Sequence, residues 1–260
     1  MMRVLIANPS VGLGGAEFHT IELARHLSQC GAEVMHALER TRENESLFRT
    51  ANNGISSLPL AWHRTAFPQE EALRQSRVLR KAVSSYSPDL LIIPLAYPDA
   101  APGLLACAAD LGLPTVVIFH LARKTINLTD LQLRAYARAL QSANIHWVAV
   151  SPWLADTMSF LTGIPRSRIT VIRNGAFQSD REVADLSDRD AVRAAVLDEF
   201  GIDPRDKVIL TVARIDTQKN HLDLVTAADA VVRLRPDVKF VWLGEGPSTA
   251  IVDERIRELR

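Results

Sequence analysis

Val208-Ile209-Leu210-Thr211-Val212-Ala213-Arg214-Ile215-Asp216-Thr217-Gln218-Lys219 is the stretch that decides the fold class. Its first six residues are mostly β-branched and uncharged, the pattern of a strand buried on both faces, as in parallel sheets. A helical segment, Asn220 to Leu234, follows directly. Arg214 leaves the strand's carboxyl end, and Lys219 stands at the mouth of the helix. Open parallel sheets bind ligands just beyond the carboxyl ends of their strands. Two cations there suit a diphosphate. Taken in isolation, the same side chains are ordinary solvated charges.

The alternation extends upstream. Strands are expected at Arg3–Asn8, Glu33–Leu38, Ile55–Leu60, Asp89–Leu95, Thr115–Phe119, Ile145–Val150 and Arg168–Ile172. Between them fall helical patterns at about Ala16–Gln29 (apolar positions Phe18, Ile21, Ala24 and Leu27), Arg42–Asn53, Gln69–Tyr86, Ala100–Leu111, Thr129–Ser142 and Trp153–Leu161. Ser151-Pro152 is a standard amino-terminal cap with proline in the first turn. Strands alternating with helices call for an α/β fold, a parallel sheet with helices on both faces. The pattern lapses between Ala176 and Asp188, giving a domain over 1–178, a linker over 179–188 and a second domain over 189–260. That domain repeats the first one's beginning: a helix Arg189–Phe200, the strand Val208–Ala213, its helix, a strand Val238–Leu243 and a last helix from Thr249. Two strands are fewer than an independently stable sheet needs. The expectation is therefore a fragment that lacks the second half of its carboxyl-terminal domain.

Composition narrows the partners. The 260 residues are 47% apolar and 23% charged, ordinary for a globular protein. Thirty basic and thirty acidic side chains leave no net field for nucleic acid, so any anion site must be local. No apolar run approaches a membrane span. The opening Met1 to Pro9 reads as a first strand of a cytoplasmic domain rather than a secretory signal. The helix Gln69–Tyr86 carries Arg74, Arg77, Arg80 and Lys81 on one face. That row suits either weak peripheral contact with anionic headgroups or a solvated surface, with Glu70 and Glu71 in the first turn answering the helix dipole. Cys30 and Cys107 have no metal-type spacing and read as inert buried thiols.

Several residues could carry chemistry. Gly14-Gly15-Ala16-Glu17 lies between the first strand and its helix, where glycine permits close approach of a ligand and the helix end presents free N–H groups to an anion. The dinucleotide fingerprint G-x-G-x-x-G is absent, because Glu17 stands where its third glycine belongs, and this disfavours a nicotinamide dehydrogenase. His120 ends a buried strand and is either a structural hydrogen-bonder or a site residue. His19 reads as structural. Asp188-Arg189-Asp190 resembles a metal-holding D-x-D but reads better as helix capping. Gly244-Glu245-Gly246-Pro247 either turns backbone N–H groups toward a nucleotide or is an ordinary turn.

Together these pieces resemble the retaining glycosyltransferases of family 4, which have the GT-B architecture. The resemblance rests on Gly14-Gly15-Ala16-Glu17, His120, Val148-Ala149-Val150-Ser151, Val171-Ile172-Arg173-Asn174-Gly175, Val212-Ala213-Arg214-Ile215 with Lys219, and Val241-Trp242-Leu243-Gly244-Glu245-Gly246-Pro247. It implies two Rossmann-like domains, complete in the first and half present in the second, with a UDP-, GDP- or ADP-sugar donor bound between them. It implies no metal and no other cofactor. By the same resemblance Arg214 and Lys219 neutralise the donor diphosphate and Gly15 offers it an N–H. His120 faces the sugar near its anomeric carbon. Gly14, Asn174, Gly175, Gly244, Glu245 and Gly246 lie about the donor, and acceptor recognition falls to loops near Trp62–Pro68 and Ala96–Ala101. A sugar-nucleotide epimerase of the same architecture, or a nucleotide-sugar-binding subunit without catalysis, shares these features. Ala213 and Asn220 replace glycines usual in the family. Its E-x7-E glutamate pair belongs to the expected missing half, which the resemblance implies a complete donor site needs.

Overall fold

The computed structural model describes residues 1–10, 14–39, 41, 56–59, 67–123, 125–175 and 189–259. The chain falls into two compact units, Met1–Phe177 and Gln178–Arg260. Gly12, the expected helix over 42–53, the loop over 62–66, and the linker over 179–188 lie outside the described residues.

Among its described residues the first unit holds seven strands: β1 (Arg3–Asn8), β2 (Glu33–Leu38), β3 (Ser56–Pro59), β4 (Leu90–Leu95), β5 (Thr115–Phe119), β6 (Ile145–Ala149) and β7 (Ile169–Val171). They form one parallel sheet in the order β3-β2-β1-β4-β5-β6-β7. The order reverses between β1 and β4, the position at which open α/β sheets form their ligand crevice. Among the described residues five helices accompany them: α1 (Gly15–Gln29), α2 (Pro68–Tyr86), α3 (Pro102–Leu111), α4 (Asp130–Gln141) and α5 (Pro152–Thr162).

Alternation along the strands splits the core in two. Leu5 and Ala7 of β1 enter a large core with Leu79, Leu104, Tyr136 and Met158, one each from α2, α3, α4 and α5. Val4 and Ile6 point the other way, into a smaller core with Ala24 of α1. Each fully buried Leu or Ile contributes about 1.5–3 kcal/mol, so both faces hold the sheet. Caps fix the helix starts. Ser151 accepts from the Leu154 N–H at 3.1 Å, and Thr129 and Gln132 form a reciprocal capping box on α4.

Two expectations fail here. In α1, Ile21 and Ala24 are buried and Leu27 packs on the smaller core as expected, but Phe18 is 47% exposed, and Glu17 and Thr20 are buried in the first turns instead. Thr20 is satisfied by donating to the Ala16 carbonyl at 2.7 Å. Cys107 is buried as expected, but Cys30 is exposed. It sits at the carboxyl end of α1, where the chain leaves the helix before β2.

The second unit contains α6 (Arg189–Glu199), β8 (Lys207–Val212), α7 (His221–Leu234), β9 (Val238–Leu243) and α8 (Thr249–Glu258). β8 and β9 pair in parallel from Lys207–Val238 to Val212–Leu243. Ile215, Val225 and Val252 form its small core, with Trp242, Ile256 and Leu259 against them. The expectation that β8 is buried on both faces is not met: Ile209, Leu210 and Val212 are 42%, 55% and 72% exposed. Burial of a parallel strand comes from neighbours and covering helices, and among the described residues β8 pairs only with β9.

Candidate functional site

Each unit has its candidate residues at the carboxyl edge of its own sheet. In the first, the direction of His120 follows from its predecessor. The Phe119 ring enters the large core, stacked on Trp147 at 5.7 Å and 5°, so the next residue turns toward the face that carries α1. His120 is pinned by its N–H, which donates to the Leu95 carbonyl of β4 at 3.0 Å. Its ring meets that of His19, from α1, edge-on with 5.0 Å between centroids.

Burial governs the electrostatics of this pair. His120 is buried, and its pKa is pushed down to about 4, by desolvation first and by the neighbouring His19 second. Desolvation lowers that of His19 as well. Near neutral pH His120 is therefore uncharged. The His120 Nε2 is buried and has no hydrogen-bond partner among the described residues, a state that costs about 1–3 kcal/mol. His19 was missed as a site residue from sequence. Its placement depends on α1 crossing the sheet toward β5, which strand order decides and helical spacing does not.

Gly14 and Gly15 open α1. Gly14 is an extended cap whose carbonyl accepts from the Phe18 N–H at 3.1 Å, and no side chain caps this end. Space is open around Gly15, whereas a Cβ on Gly14 would stand 3.2 Å from the Glu17 Oε2. The Glu17 carboxylate, itself buried, already lies close to the positive end of the helix. Asn174 and Gly175 follow β7, exposed. β7 is two places from β5, about 10 Å at the usual strand spacing.

In the second unit the ladder runs on past the strand ends. The Ala213 N–H donates to the Leu243 carbonyl at 3.1 Å, the Ile215 N–H to the Glu245 carbonyl at 3.0 Å, and the Ser248 N–H to the Ile215 carbonyl at 3.1 Å. A Cβ added at Gly244 or Gly246 would stand 2.0 Å from the Ala213 oxygen or 2.1 Å from the Ile215 oxygen. Close backbone approach therefore requires both glycines, whatever the loop binds. Arg214 rides on this double run. Its guanidinium is 3.2 Å from the Asp216 carboxylate, and its side chain is 55% exposed. Asp216 also caps the short 3-10 turn Thr217–Lys219, accepting from the Gln218 N–H at 2.9 Å. Lys219 ends that turn, exposed, with no ion pair among the described residues. Asn220 then adopts φ 53° and ψ 44°, a left-handed conformation that asparagine tolerates better than most residues, and α7 begins. His221, the first residue of α7, is buried with neither ring nitrogen hydrogen-bonded among the described residues, which sequence reading did not single out.

The remaining sequence candidates separate from these edges. Asp188 lies outside the described residues, and Asp190 is exposed in the first turn of α6. In the basic row of α2, Arg80 is committed to Asp110 of α3 at 2.9 Å, and Asp110 also holds Arg138 of α4 at 2.6 Å. No described helix is long and apolar enough to cross a membrane.

Comparison with known proteins bears on the whole. The model of Glycosyltransferase Family 4 matches residues 13–176. No curated protein matches the chain by sequence. Among solved structures, a glycosyltransferase from Rickettsia africae superimposes with a TM-score of 0.74 at 18% identity, over 99% of this chain and 64% of that one. HepE of Anabaena, in complex with UDP, gives 0.71 at 18% identity, over 99% and 66%. A UDP-GlcNAc 2-epimerase from Neisseria meningitidis, bound to UDP-GlcNAc, gives 0.56 at 15% identity, over 99% and 69%. The chain thus spans 64% of the first structure's length and 66% of the second's. At such identities these likenesses establish the fold, which is of the GT-B type.

Proposed function

Because the chain belongs to glycosyltransferase family 4, we propose that it serves transfer of a sugar from a nucleotide-diphospho-sugar to a hydroxyl-bearing acceptor, with retained anomeric configuration. The observation that carries this reading is the pair of cations just past β8, Arg214 half-exposed and Lys219 exposed, set on a backbone held by hydrogen bonds on both sides. In the reaction the bond from the anomeric carbon to the diphosphate oxygen breaks, the acceptor oxygen bonds to that carbon, and the acceptor proton leaves with the diphosphate. Negative charge grows on the leaving group, and Arg214 and Lys219 stabilise it. One well-placed donor of this kind is worth about 2.7–4 kcal/mol.

The other assignments are those that the family resemblance implies. His120, neutral, gives the donor sugar a directed hydrogen bond rather than a counter-charge. Gly15 offers its N–H to phosphate, and Gly14, Asn174, Gly175, Gly244, Glu245 and Gly246 supply backbone and side-chain contacts about the donor. HepE is solved with UDP, which makes uridine the first donor base to try.

The test is turnover of UDP-, GDP- and ADP-sugars by the full chain. Arg214→Ala and Lys219→Ala should each lower it by about a hundredfold or more. Turnover equal in wild type and both variants defeats the reading. Nucleotide binding without turnover favours a binding subunit, and an altered free sugar without need of acceptor favours epimerisation.

A further inference from the structure

The loops that follow β4 and β5 enclose a cleft of about 380 Å3, lined by Tyr97, Asp99, Arg123, Thr125, Ile126 and Asn127. We propose that this cleft holds the acceptor, and that the part it recognises is a single uncharged sugar ring gripped through adjacent hydroxyls. The inference rests on the transfer reading above and adds to it the chemical class of the acceptor.

The walls are fixed before any ligand arrives. The Gln132 Oε1 accepts from the Thr129 N–H at 2.8 Å, at the end of the loop after β5, while its Nε2 donates to the Asp99 carbonyl at 3.1 Å, in the loop after β4. One side chain therefore ties both loops to the start of α4. The buried Tyr136 hydroxyl adds a bond to the Pro98 carbonyl at 2.8 Å. A preformed cleft spares the ligand the cost of ordering it.

Its chemistry selects a polyol. The Arg123 guanidinium lies 5.2 Å over the Tyr97 ring, within cation–π range, which orients its fork. Neither Arg123 nor Asp99 has an ion pair among the described residues. A carboxylate only accepts hydrogen bonds and a guanidinium only donates. Neighbouring hydroxyls of a sugar satisfy both at once, each giving a proton and offering lone pairs. Thr125 and Asn127 extend the same two-way bonding. An anionic acceptor group would meet Asp99, and an ammonium would meet Arg123. Among the described lining residues Ile126 is the only aliphatic side chain, so a lipid tail finds little apolar wall. The volume sits at the small end of the usual range of about 300–1,000 Å3 for ligand clefts, room for one ring rather than an oligosaccharide. Arg123 follows His120 by three residues in the loop after β5.

The experiment titrates the full 260-residue chain with the methyl glycosides of glucose, galactose, mannose and N-acetylglucosamine, and separately with inorganic phosphate, by saturation-transfer NMR. The wild type should bind at least one glycoside, and Asp99→Asn and Arg123→Gln should each weaken that binding about tenfold, the loss expected for a hydrogen bond to a charged group. Both positions are at least partly exposed, and thermal melts of the variants verify folding. The proposal is overturned if no glycoside binds, if the variants bind glycosides as the wild type does, or if phosphate binds through Arg123 in their place. Binding of UDP, GDP and ADP, followed by thermal shift in the same samples, separates the two readings. Nucleotide bound without any glycoside defeats the cleft alone, while glycoside bound without any nucleotide defeats the donor reading and leaves the cleft standing.

Discussion

The histidines carry the clearest single-residue consequence. His36, on β2, is fully buried and its pKa is pushed down to about 4 by desolvation, as is that of His120. In the unfolded chain both take a proton below about pH 6.5. Between there and pH 4 the unfolded state binds more protons, so stability falls as pH is lowered through that window. Each histidine contributes up to about 3 kcal/mol to the loss. Urea titrations at pH 7.5, 6.5 and 5.5 should show it, with a shallower pH slope in His36→Gln, and equal slopes in the two proteins would refute the assignment. His120 was legible in the sequence as a polar residue ending a buried strand. Its meeting with His19 was not, since it joins residues that only the strand order brings together. Asn220 is the reverse case. Its sequence position marks a departure from a usual glycine, and the left-handed backbone there supplies the reason that asparagine serves.

Among elements, the segment after β9 separates two kinds of glycine that look alike in sequence. Gly246→Ala drives a Cβ to within 2.1 Å of the Ile215 carbonyl oxygen, a backbone atom held in the extended ladder. It should destabilise the second unit by about 1–3 kcal/mol or more, as overpacking does. Gly15→Ala meets nothing within 4 Å and should leave stability nearly unchanged. Melting curves of the two variants side by side check this, and equal shifts would refute it. Strand and helix positions were legible because apolar runs of strand length are set off by caps and turns, as at Ser151-Pro152. The face of α1 was legible at Ile21 and Ala24 but not at its start, where Glu17 and Thr20 are buried and Phe18 is left in water.

At the scale of the molecule the two units differ in how completely their sheets are covered. Among the described residues, seven paired strands with a core on each face hold the first, while the second has two strands and one small cluster around Ile215, Val225 and Val252. Hydrogen exchange should therefore protect the amides of β4 and β5 on the order of a hundredfold more than those of β8 and β9. Equal protection would refute the contrast. The first sheet was legible throughout, since a strand buried by its own neighbours advertises itself in composition. The exposure of β8 was not legible, because its apolar sequence reports the burial it is suited to and says nothing of which neighbours are present. Yet the lobe with the thinner core has a stiff rim. Arg214 stands on backbone already tied to the run after β9, so an anion reaching it meets a segment already ordered. Capture there would be governed by diffusion and charge steering, quick at low ionic strength and slowed by added salt.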